Sequence, residues 1–448
     1  MARLCIVGTG HVGLVYAVAF SLQGHTVVGT DVDAGAIASL KAGKATFYEP
    51  GLQSALTKAR RTKRLAFSTE IASEAARAEV VFLAVGTPSR EDGSIDTSFV
   101  ESAARTVGEA LGSGAAYRVV VVKSTVVPGT TETVVRPALE AASGQEAGRD
   151  FGLAMNPEFL REGSAVEDAM RPDRIVIGSL DARSGAALAK VYAKNRCKKL
   201  RTDLRTAEMI KYATNSFLAT KVSFANELAD LCDALGGLDV DRVVEGMALD
   251  ARINPRFLKA GLGFGGSCFP KDVRALLAAG RARGYDSFLL QATLDVNEVQ
   301  PLRAVALAER AAGDLRGKRV AILGLSFKGG SDDIRESRAI PLARLLLEKG
   351  AVVVGTDPEA GAAFQAAVPA VEIAPDVASA LARADVAIVH NDWPAWRKLR
   401  AKDFAGMRRK VVVDGRRILD PAAMKGVELV VLGGGSAGGL SPRGAPSS

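Results

Sequence analysis

The chain has 448 residues, of which 48% are hydrophobic and 24% charged, a composition typical of a globular protein with two or three domains. Aromatic residues make up only 5%, which argues against the base-stacking surfaces of proteins that bind single-stranded nucleic acid. The net charge of +8 suits small anionic ligands such as a nucleotide diphosphate as well as nucleic acid.

The four cysteines are scattered and show no metal-binding spacing, so we expect no metal site and no disulfide framework. A strand pattern begins at Arg3, which leaves no room for a signal peptide. No apolar run reaches the length that spans a membrane. These features predict a cytoplasmic protein whose thiols stay reduced.

Short apolar runs alternate with helix-compatible segments in the first part of the chain, which predicts a mostly parallel, doubly wound sheet. These runs lie at residues 3–7, 26–30, 80–85, 119–122, 152–155 and 175–177. Helical, strand-poor stretches follow at about 203–235 and 289–312. Further apolar runs then predict a second α/β unit, at residues 320–323, 351–354, 386–389 and 411–413.

The first loop carries a dinucleotide-binding fingerprint, because residues 8–13 read Gly-Thr-Gly-His-Val-Gly between a strand and a helix. In such a fingerprint Gly8 makes the tight turn, Gly10 admits the pyrophosphate, and Gly13 lets the helix pack closely on the sheet. Asp31 ends the second strand, where a carboxylate accepts hydrogen bonds from ribose hydroxyls and repels a 2′-phosphate. The pattern favours NAD over NADP.

Three further motifs follow predicted strands, at the sheet edge where open α/β folds bind ligands. The first motif, at residues 85–88, contains Thr87, and the second, at residues 123–129, contains Thr125. Both motifs also suit ordinary turns. The third, at residues 156–163, reads Asn-Pro-Glu-Phe-Leu-Arg-Glu-Gly. Its Glu158 and Glu162 are four residues apart, which suits one face of a helical turn. Either a general base or a surface charge cluster fits this pattern.

Residues 263–272 read Gly-Phe-Gly-Gly-Ser-Cys-Phe-Pro-Lys-Asp and place Cys268 in a glycine-rich loop. Lys271 and Asp272 follow it closely. A nearby cation favours the thiolate, which is the nucleophilic form of cysteine. Together with the dinucleotide fingerprint, the loop predicts a nucleotide-linked oxidation that uses a cysteine nucleophile.

Other polar residues are candidate site residues, but their sequence patterns are less specific. Lys211 and Asn215 are four residues apart and share a face of the predicted long helix, a spacing that by itself favours a structural role. Lys328 and Arg335 are candidates for binding phosphate, or members of a surface charge run. We expect residues 332–337 to open a helix.

Taken together, the motifs at residues 8–13, 156–163, 263–272 and 327–337 resemble the UDP-glucose/GDP-mannose dehydrogenase family over roughly residues 1–430. The resemblance implies two Rossmann-like doubly wound parallel-sheet domains joined by a long helical middle region, and a homodimer or higher homo-oligomer. The implied segments are an NAD-binding domain at 1–198, a helical dimerisation region with the cysteine loop at 199–312 and a UDP-sugar-binding domain at 313–432. Residues 433–448 are rich in Gly, Ser and Pro, which predicts a disordered tail.

The resemblance also implies a four-electron oxidation of a sugar C6 alcohol, UDP-glucose to UDP-glucuronate, with two NAD and one water, as in polysaccharide biosynthesis. Cys268 would form a thiohemiacetal and then a thioester. The other catalytic residues it implies are Lys211, Asp272, Asn215, Thr125 and Glu158. The cofactor contacts it implies are Gly8, Gly10, Val12, Gly13, Asp31, Thr87, Thr125, Glu162, Lys271 and Arg335. The substrate contacts it implies are Glu158, Phe159, Leu160, Lys211, Asn215, Arg252, Phe257, Leu258, Lys259, Gly265 and Lys328, with Arg252 reaching a neighbouring subunit.

Three positions depart from the family pattern. His11 stands where Tyr is common, Ala36 stands where a Lys often assists the adenosine ribose, and the run at 329–331 is unusual. Alternative substrates are GDP-mannose and UDP-N-acetylmannosamine, although the residue before Cys268 is not the His usual in the N-acetyl-sugar branch. Two other classes remain open, namely a non-catalytic nucleotide-binding protein and a two-electron hydroxyacid dehydrogenase.

Overall fold

A computed structural model describes residues 1–112 and 116–434. Its described residues form two compact units, one of Met1–Thr214 with Arg274–Arg283 and the other of Asn215–Val273 with residues 284–434. The tail expected to be disordered lies outside the described residues from position 435. Within the described part of the chain, no helix is both long and apolar enough to cross a bilayer.

The sheet of the first unit has eight strands. They are β1 (Arg3–Val7), β2 (Thr26–Thr30), β3 (Leu65–Ser68), β4 (Val80–Leu83), β5 (Val119–Val122), β6 (Gly152–Met155), β7 (Arg174–Ser179) and β8 (Lys198–Thr202). Their spatial order is β3-β2-β1-β4-β5-β6-β7-β8. All neighbouring pairs are parallel except β6 and β7, which run antiparallel.

Helices cover both faces of this sheet. They are α1 (His11–Leu22), α2 (Ala34–Ala42), α3 (Leu52–Arg61), α4 (Ile71–Arg77), α5 (Ser98–Gly112), α6 (Arg136–Ser143), α7 (Ala165–Met170) and α8 (Ala182–Val191), with a π-helical turn at Thr131–Val135. One apolar core lies under α1, α3, α7 and α8, and a second lies under α4, α5 and α6. Such two-layer covering explains why most strands are continuous apolar runs.

The helical middle consists of α9 (Leu204–Leu235), α10 (Val240–Ala248), α11 (Phe269–Arg281) and α12 (Phe288–Ala312). The second unit then has its own sheet, with β9 (Arg319–Leu323), β10 (Val352–Thr356), β11 (Glu372–Ile373), β12 (Val386–Val389), β13 (Val411–Asp414) and β14 (Glu428–Val431). Its helices are α13 (Ala339–Glu348), α14 (Gly361–Ala367) and α15 (Val377–Leu381), with 3-10 turns at Trp396–Lys398, Ala401–Phe404 and Pro421–Met424.

The second sheet has the order β11-β10-β9-β12-β13-β14, and every neighbouring pair is parallel. This is the dinucleotide-fold order, in which the chain reverses direction beside the first strand. The first six strands of the other sheet follow the same order. The prediction of two Rossmann-like α/β domains joined by a long helical segment is therefore confirmed.

Two local predictions are wrong. Residues 332–337 form no helix, because the Asp333 carboxylate accepts a hydrogen bond from the Arg335 amide at 2.8 Å and Glu336 adopts a positive φ of 54°. The next helix, α13, begins only at Ala339. Residues 156–163 likewise form no helix but an irregular segment that ends in a turn, so Glu158 and Glu162 do not share a helical face.

Candidate active site

The first loop after β1 is held by the end of β2. Gly8 donates its amide to the Thr30 carbonyl at 2.8 Å, and one Asp31 oxygen accepts both the Thr9 amide at 2.6 Å and the Thr9 hydroxyl at 2.9 Å. The other Asp31 oxygen accepts the amide of Asp33 at 3.1 Å. Asp31 thus fixes the turn and stands at the carboxyl edge of the sheet, where the fingerprint predicts a ribose.

Gly10 and Gly13 fit a bound dinucleotide for different reasons. An added Cβ on Gly13 would lie 1.8 Å from the Gly8 carbonyl oxygen, so this glycine lets α1 approach the loop. An added Cβ on Gly10 would meet no protein atom within 4 Å, which leaves open space at the N-terminus of α1. Open space beside unpaired helix amides is what a pyrophosphate requires. The residues present therefore fit NAD.

We expect Gly10→Ala to fold normally and to lose NAD affinity. The Gly10 backbone, at φ −67°, accommodates alanine, so the free energy of unfolding should change by less than about 0.5 kcal/mol. The new methyl group would occupy the space reserved for phosphate, and the loss of one charge-assisted hydrogen bond should raise the Kd for NAD roughly 10- to 100-fold. Fluorescence titration with NAD and urea unfolding measure the two quantities.

Gly13→Ala is the matched variant for that experiment. Its methyl group would overlap the Gly8 carbonyl, so this variant should lose both NAD affinity and stability, the latter by about 1–3 kcal/mol. Unchanged NAD binding by Gly10→Ala would remove the pyrophosphate from this loop.

The next loops along the sheet edge are tied together by short hydrogen bonds. The Thr87 hydroxyl donates to the Thr125 carbonyl at 2.8 Å, and the Ser124 hydroxyl donates to the Val85 carbonyl at 2.6 Å. Val12 lies on the first turn of α1 and packs at the rim of the first core. These contacts bring the predicted residues Val12, Thr87 and Thr125 to the carboxyl edge of one sheet.

Glu158 and Lys211 form a buried ion pair. The Lys211 ammonium lies 2.7 Å from Glu158 Oε1, and their side chains are only 3% and 5% exposed. The Leu160 amide donates to the other carboxylate oxygen at 2.6 Å. Burial alone raises the pKa of Glu158, but attraction to Lys211, these two hydrogen bonds and attraction to Lys123 outweigh it and lower the pKa. Glu158 is therefore an ionised carboxylate and a potential base.

Phe159 forms one side of this pair. The Arg174 guanidinium lies 3.9 Å from its ring centroid, and the Lys211 ammonium lies 5.6 Å from the same point. Ring faces attract cations, so Phe159 keeps both charges close to the motif.

Glu162 lies in a segment that is anchored by Glu49. The Glu49 carboxylate accepts the amides of Gly163 and Ala165, both at 2.9 Å, and its Oε2 also lies 3.4 Å from His11 Nε2. The His11 ring stacks on Phe47 with centroids 4.6 Å apart. The departure at His11 is thus accommodated by an aromatic and an acidic neighbour.

Cys268 lies directly before α11 in the second unit, where the positive end of the helix dipole favours negative charge. The glycines before it allow close packing, because an added Cβ on Gly265 would lie 2.2 Å from the Glu336 carbonyl oxygen. The Gly266 amide donates to the Arg335 carbonyl at 2.9 Å. The cysteine loop is therefore fixed against the segment that carries Arg335.

Asp272 and Asn215 form a second buried polar pair. The Asn215 amide donates to Asp272 Oδ2 at 2.6 Å, and the Lys271 ammonium lies 2.6 Å from Asp272 Oδ1. Asp272 is on the first turn of α11, four residues after Cys268, and its amide donates to the Cys268 carbonyl at 2.9 Å. The structure thus brings the predicted residues Cys268, Lys271, Asp272 and Asn215 together within one unit.

Basic side chains gather near residues 257–261. Burial lowers the pKa of Lys259, and the nearby charges of Arg397 and Arg416 lower it further. Its ammonium donates to the Arg417 carbonyl at 3.2 Å. Leu258 beside it is buried, and Phe257 adopts a positive φ of 66°. Repulsion among these three cations, partly offset by Asp241 and Asp414, favours binding of a polyanion such as a diphosphate.

The remaining predicted residues are more exposed. Arg335 forms an ion pair with Asp333 at 2.7 Å, and Lys328 lies over the Phe327 ring at 5.4 Å from its centroid. Arg252 forms an ion pair with Asp250 and has an 89% exposed side chain. Among the described residues, no group of three or more His, Cys, Asp or Glu side chains is placed to hold a metal ion.

Sequence reasoning missed three buried polar residues. Asn156 opens the motif at residues 156–163 and Lys123 stands two residues before Thr125, yet the sequence pattern assigns neither a role. They bind each other beside Glu158. Asn297 on α12 accepts the Phe264 amide at 2.7 Å and donates to the Phe264 carbonyl at 3.1 Å, which holds the cysteine loop. The available signal was a polar side chain within an apolar helical or strand pattern, which must find a partner when buried.

Two dinucleotide-type sheets, a fingerprint loop that fits NAD and a fixed cysteine loop define an NAD-dependent dehydrogenase. Family models match most of the chain. The UDP-glucose/GDP-mannose dehydrogenase family NAD binding domain matches residues 2–196, its central domain matches 205–299 and its UDP binding domain matches 321–421. The chain belongs to this family.

Individual proteins agree with the family models. The chain is 47% identical over 422 residues to a UDP-glucose 6-dehydrogenase of Haloferax volcanii, covering 93% of this chain and 97% of that protein. It is 41% identical to the UDP-glucose 6-dehydrogenase of Pseudomonas aeruginosa, covering 94% and 95%. A solved UDP-glucose dehydrogenase of Pyrobaculum islandicum superposes with a TM-score of 0.90 at 45% identity, with 98% of each chain covered.

Proposed function

We propose that this protein oxidises C6 of UDP-glucose to a carboxylate, giving UDP-glucuronate, with two NAD and one water. The observation that carries the proposal is Cys268, fixed in a glycine-rich loop beside the buried Asp272–Asn215 pair. A two-electron hydroxyacid dehydrogenase needs no such nucleophile. The relatives named UDP-glucose 6-dehydrogenase support the choice of sugar nucleotide.

In the first oxidation the alcohol becomes an aldehyde. We assign Lys211 to stabilise the oxygen at C6 as it develops negative charge, because a buried ammonium is a strong electrostatic stabiliser. Asp272 assists removal of the hydroxyl proton, and Asn215, which donates to Asp272, orients the sugar. NAD, when bound, accepts a hydride in each of the two oxidations.

Cys268 is assigned to the second oxidation. Its sulfur bonds to the aldehyde carbon and the carbonyl oxygen takes up a proton, which gives a thiohemiacetal. Oxidation of that carbon leaves a thioester on Cys268. Glu158 takes a proton from a water positioned with Thr125, the water oxygen bonds to the thioester carbon, and the carbon–sulfur bond breaks. The thiolate is a good leaving group, so the acid is released and Cys268 is restored.

The remaining residues are assigned to binding. We propose that the nucleotide sugar contacts the cationic cluster around Lys259, together with Phe159, Leu160, Arg252, Phe257, Leu258, Gly265 and Lys328. We propose that NAD contacts Val12, Asp31, Thr87, Thr125, Glu162, Lys271 and Arg335 in addition to the fingerprint glycines. The proposed segments are 1–198 for NAD, 199–312 for dimerisation and 313–432 for the UDP-sugar.

The stoichiometry of NADH tests this function. We expect two NADH for each UDP-glucose consumed, because the aldehyde is retained until the second oxidation. Absorbance at 340 nm, with UDP-glucose limiting, measures the ratio. A ratio of one indicates a two-electron alcohol dehydrogenase, and NAD binding without NADH indicates a non-catalytic nucleotide-binding protein. GDP-mannose and UDP-N-acetylmannosamine in the same assay test the alternative substrates.

We also propose a homodimer built on α9. Phe217, Phe224 and Leu231 follow one another at intervals of seven residues and are 65%, 45% and 50% exposed. Large apolar side chains repeated at this spacing form a stripe on a helix, and a second copy of the same helix can cover it. The particle mass by light scattering tests this assembly.

We place the enzyme in the cytoplasm, where thiols such as Cys268 stay reduced.

A further inference from the structure

Lys123 is a buried lysine to which the proposed chemistry assigns no role. It follows β5 directly, and its side chain is among the largest that are fully buried. Its ammonium donates to the Asn156 carbonyl at 3.1 Å and to Asn156 Oδ1 at 2.9 Å, and it lies 3.9 Å from the centroid of the Tyr16 ring. Burying a lysine ammonium costs free energy unless hydrogen bonds and charge partners compensate for it.

Every polar atom of Asn156 makes a hydrogen bond. The Tyr192 hydroxyl donates to the same Oδ1 at 2.5 Å, and the Asn156 side-chain amide donates to the Val176 carbonyl at 2.7 Å. Its backbone amide donates to the Val122 carbonyl at 2.9 Å. Burial raises the pKa of Tyr192 far above its ordinary value, so its hydroxyl remains a donor. These hydrogen bonds therefore oppose rotation of the Asn156 side chain.

Asn156 stands two residues before Glu158, and Pro157 between them restricts the backbone. Fixing the Asn156 carbonyl therefore fixes the direction in which the chain leaves β6 and the place of the Glu158 carboxylate. We propose that Lys123 and Tyr192 are positioning residues that clamp Asn156 and thereby hold Glu158 against Lys211 for the hydrolytic step. This inference rests on the proposed function.

The charge of Lys123 adds an electrostatic part to the clamp. Burial lowers the pKa of Lys123 to about 7, with attraction to Glu158 opposing and repulsion from Lys211 reinforcing the shift. Its positive charge in turn helps to lower the pKa of Glu158. The ionisable groups that interact with Glu158 include Lys211 on α9, Lys123 after β5 and Tyr16 on α1. Loss of the Lys123 charge should raise the pKa of Glu158.

The test compares Lys123→Met and Tyr192→Phe with wild type. We expect Lys123→Met to lower kcat roughly 10- to 100-fold, since a misplacement of about 1 Å can cost that much, with both KM values within about twofold of wild type. The acidic limb of its kcat profile should move to higher pH. Tyr192→Phe should lower kcat by about threefold or more, in proportion to one lost hydrogen bond, without moving that limb.

The matched controls make the same chemical changes elsewhere in this unit. Lys199→Met removes an ammonium that donates to the Asn195 carbonyl, and Tyr117→Phe removes a hydroxyl 3.3 Å from Ser184 Oγ. Both should keep wild-type kcat and pH profile. Mass spectrometry of acid-quenched enzyme should find more acylated Cys268 in Lys123→Met than in either control, because hydrolysis is the step that slows.

Wild-type kcat and an unmoved acidic limb in Lys123→Met would overturn the clamp. If that variant does not fold, Tyr192→Phe decides, and kcat equal to that of Tyr117→Phe overturns the proposal. Failure of the wild type to oxidise any nucleotide sugar would contradict the proposed function instead. The clamp is then judged without substrate from urea unfolding, because the acid-side loss of stability due to Glu158 should be smaller and should end at a higher pH in Lys123→Met than in Lys199→Met.

Discussion

Cys268→Ser should abolish conversion of UDP-glucose to UDP-glucuronate, with kcat at least about 10³-fold below wild type, as is common when a nucleophile is removed. A serine hydroxyl is far less ionised than a thiol at neutral pH, and an alkoxide leaves an ester less readily than a thiolate leaves a thioester. Product analysis by liquid chromatography, with continuous NADH absorbance, measures the loss.

Cys197→Ser is the matched control for this experiment. Cys197 is also only partly buried, and it belongs to the other unit. It should retain wild-type turnover. If Cys268→Ser made uronic acid at the wild-type rate, the covalent mechanism would be wrong while the dinucleotide fold would stand.

Lys211→Met should destabilise the protein by about 3–5 kcal/mol, because it leaves the Glu158 carboxylate buried without its closest cation. Lys211→Met combined with Glu158→Gln should be more stable than Lys211→Met alone, since the second change removes the uncompensated charge. Urea unfolding of the two single variants and the double variant gives the coupling free energy. Additive effects would show that the pair contributes no interaction. Kinetic assays should find all three variants strongly impaired.

The same pair should make the protein sensitive to acid. The folded state lowers the pKa of Glu158, so its contribution to stability is present above the ordinary carboxyl pKa and is lost as the pH falls through the folded value. Glu158→Gln should therefore flatten the acid-side decline of the unfolding free energy.

Local patterns were sufficient for the alternation of strands and helices, and most predicted strands lie within a residue or two of the observed ones. They failed where a strand lies at an edge. Lys198–Thr202 is rich in charged side chains, so no strand is predicted there, but it forms the edge strand β8 beside β7. An edge strand needs no apolar face, so it carries no alternating signal.

The candidate site likewise has parts that the sequence predicts and parts that it does not. The fingerprint at residues 8–13 and the cysteine loop are continuous segments whose glycines and thiol are readable directly. The partners of the buried polar groups cannot be identified in this way. Glu158 pairs with a lysine 53 residues away, and Asn215 binds an aspartate 57 residues away. Spacing along the chain placed Glu158 and Glu162 on one helical face, whereas the structure turns Glu158 inward to Lys211.

The fold class, the dinucleotide loop and the reactive thiol are all predictable from the amino-acid sequence, because each depends on residues that are neighbours in the chain. The three-dimensional packing was needed to show which charges are paired and which lysines carry a lowered pKa. Those properties depend on burial and on the order of β4, β5 and β6 in the sheet, which brings Lys123 beside Asn156 across 33 residues. Electrostatic energies follow distance in space, and sequence separation does not fix that distance.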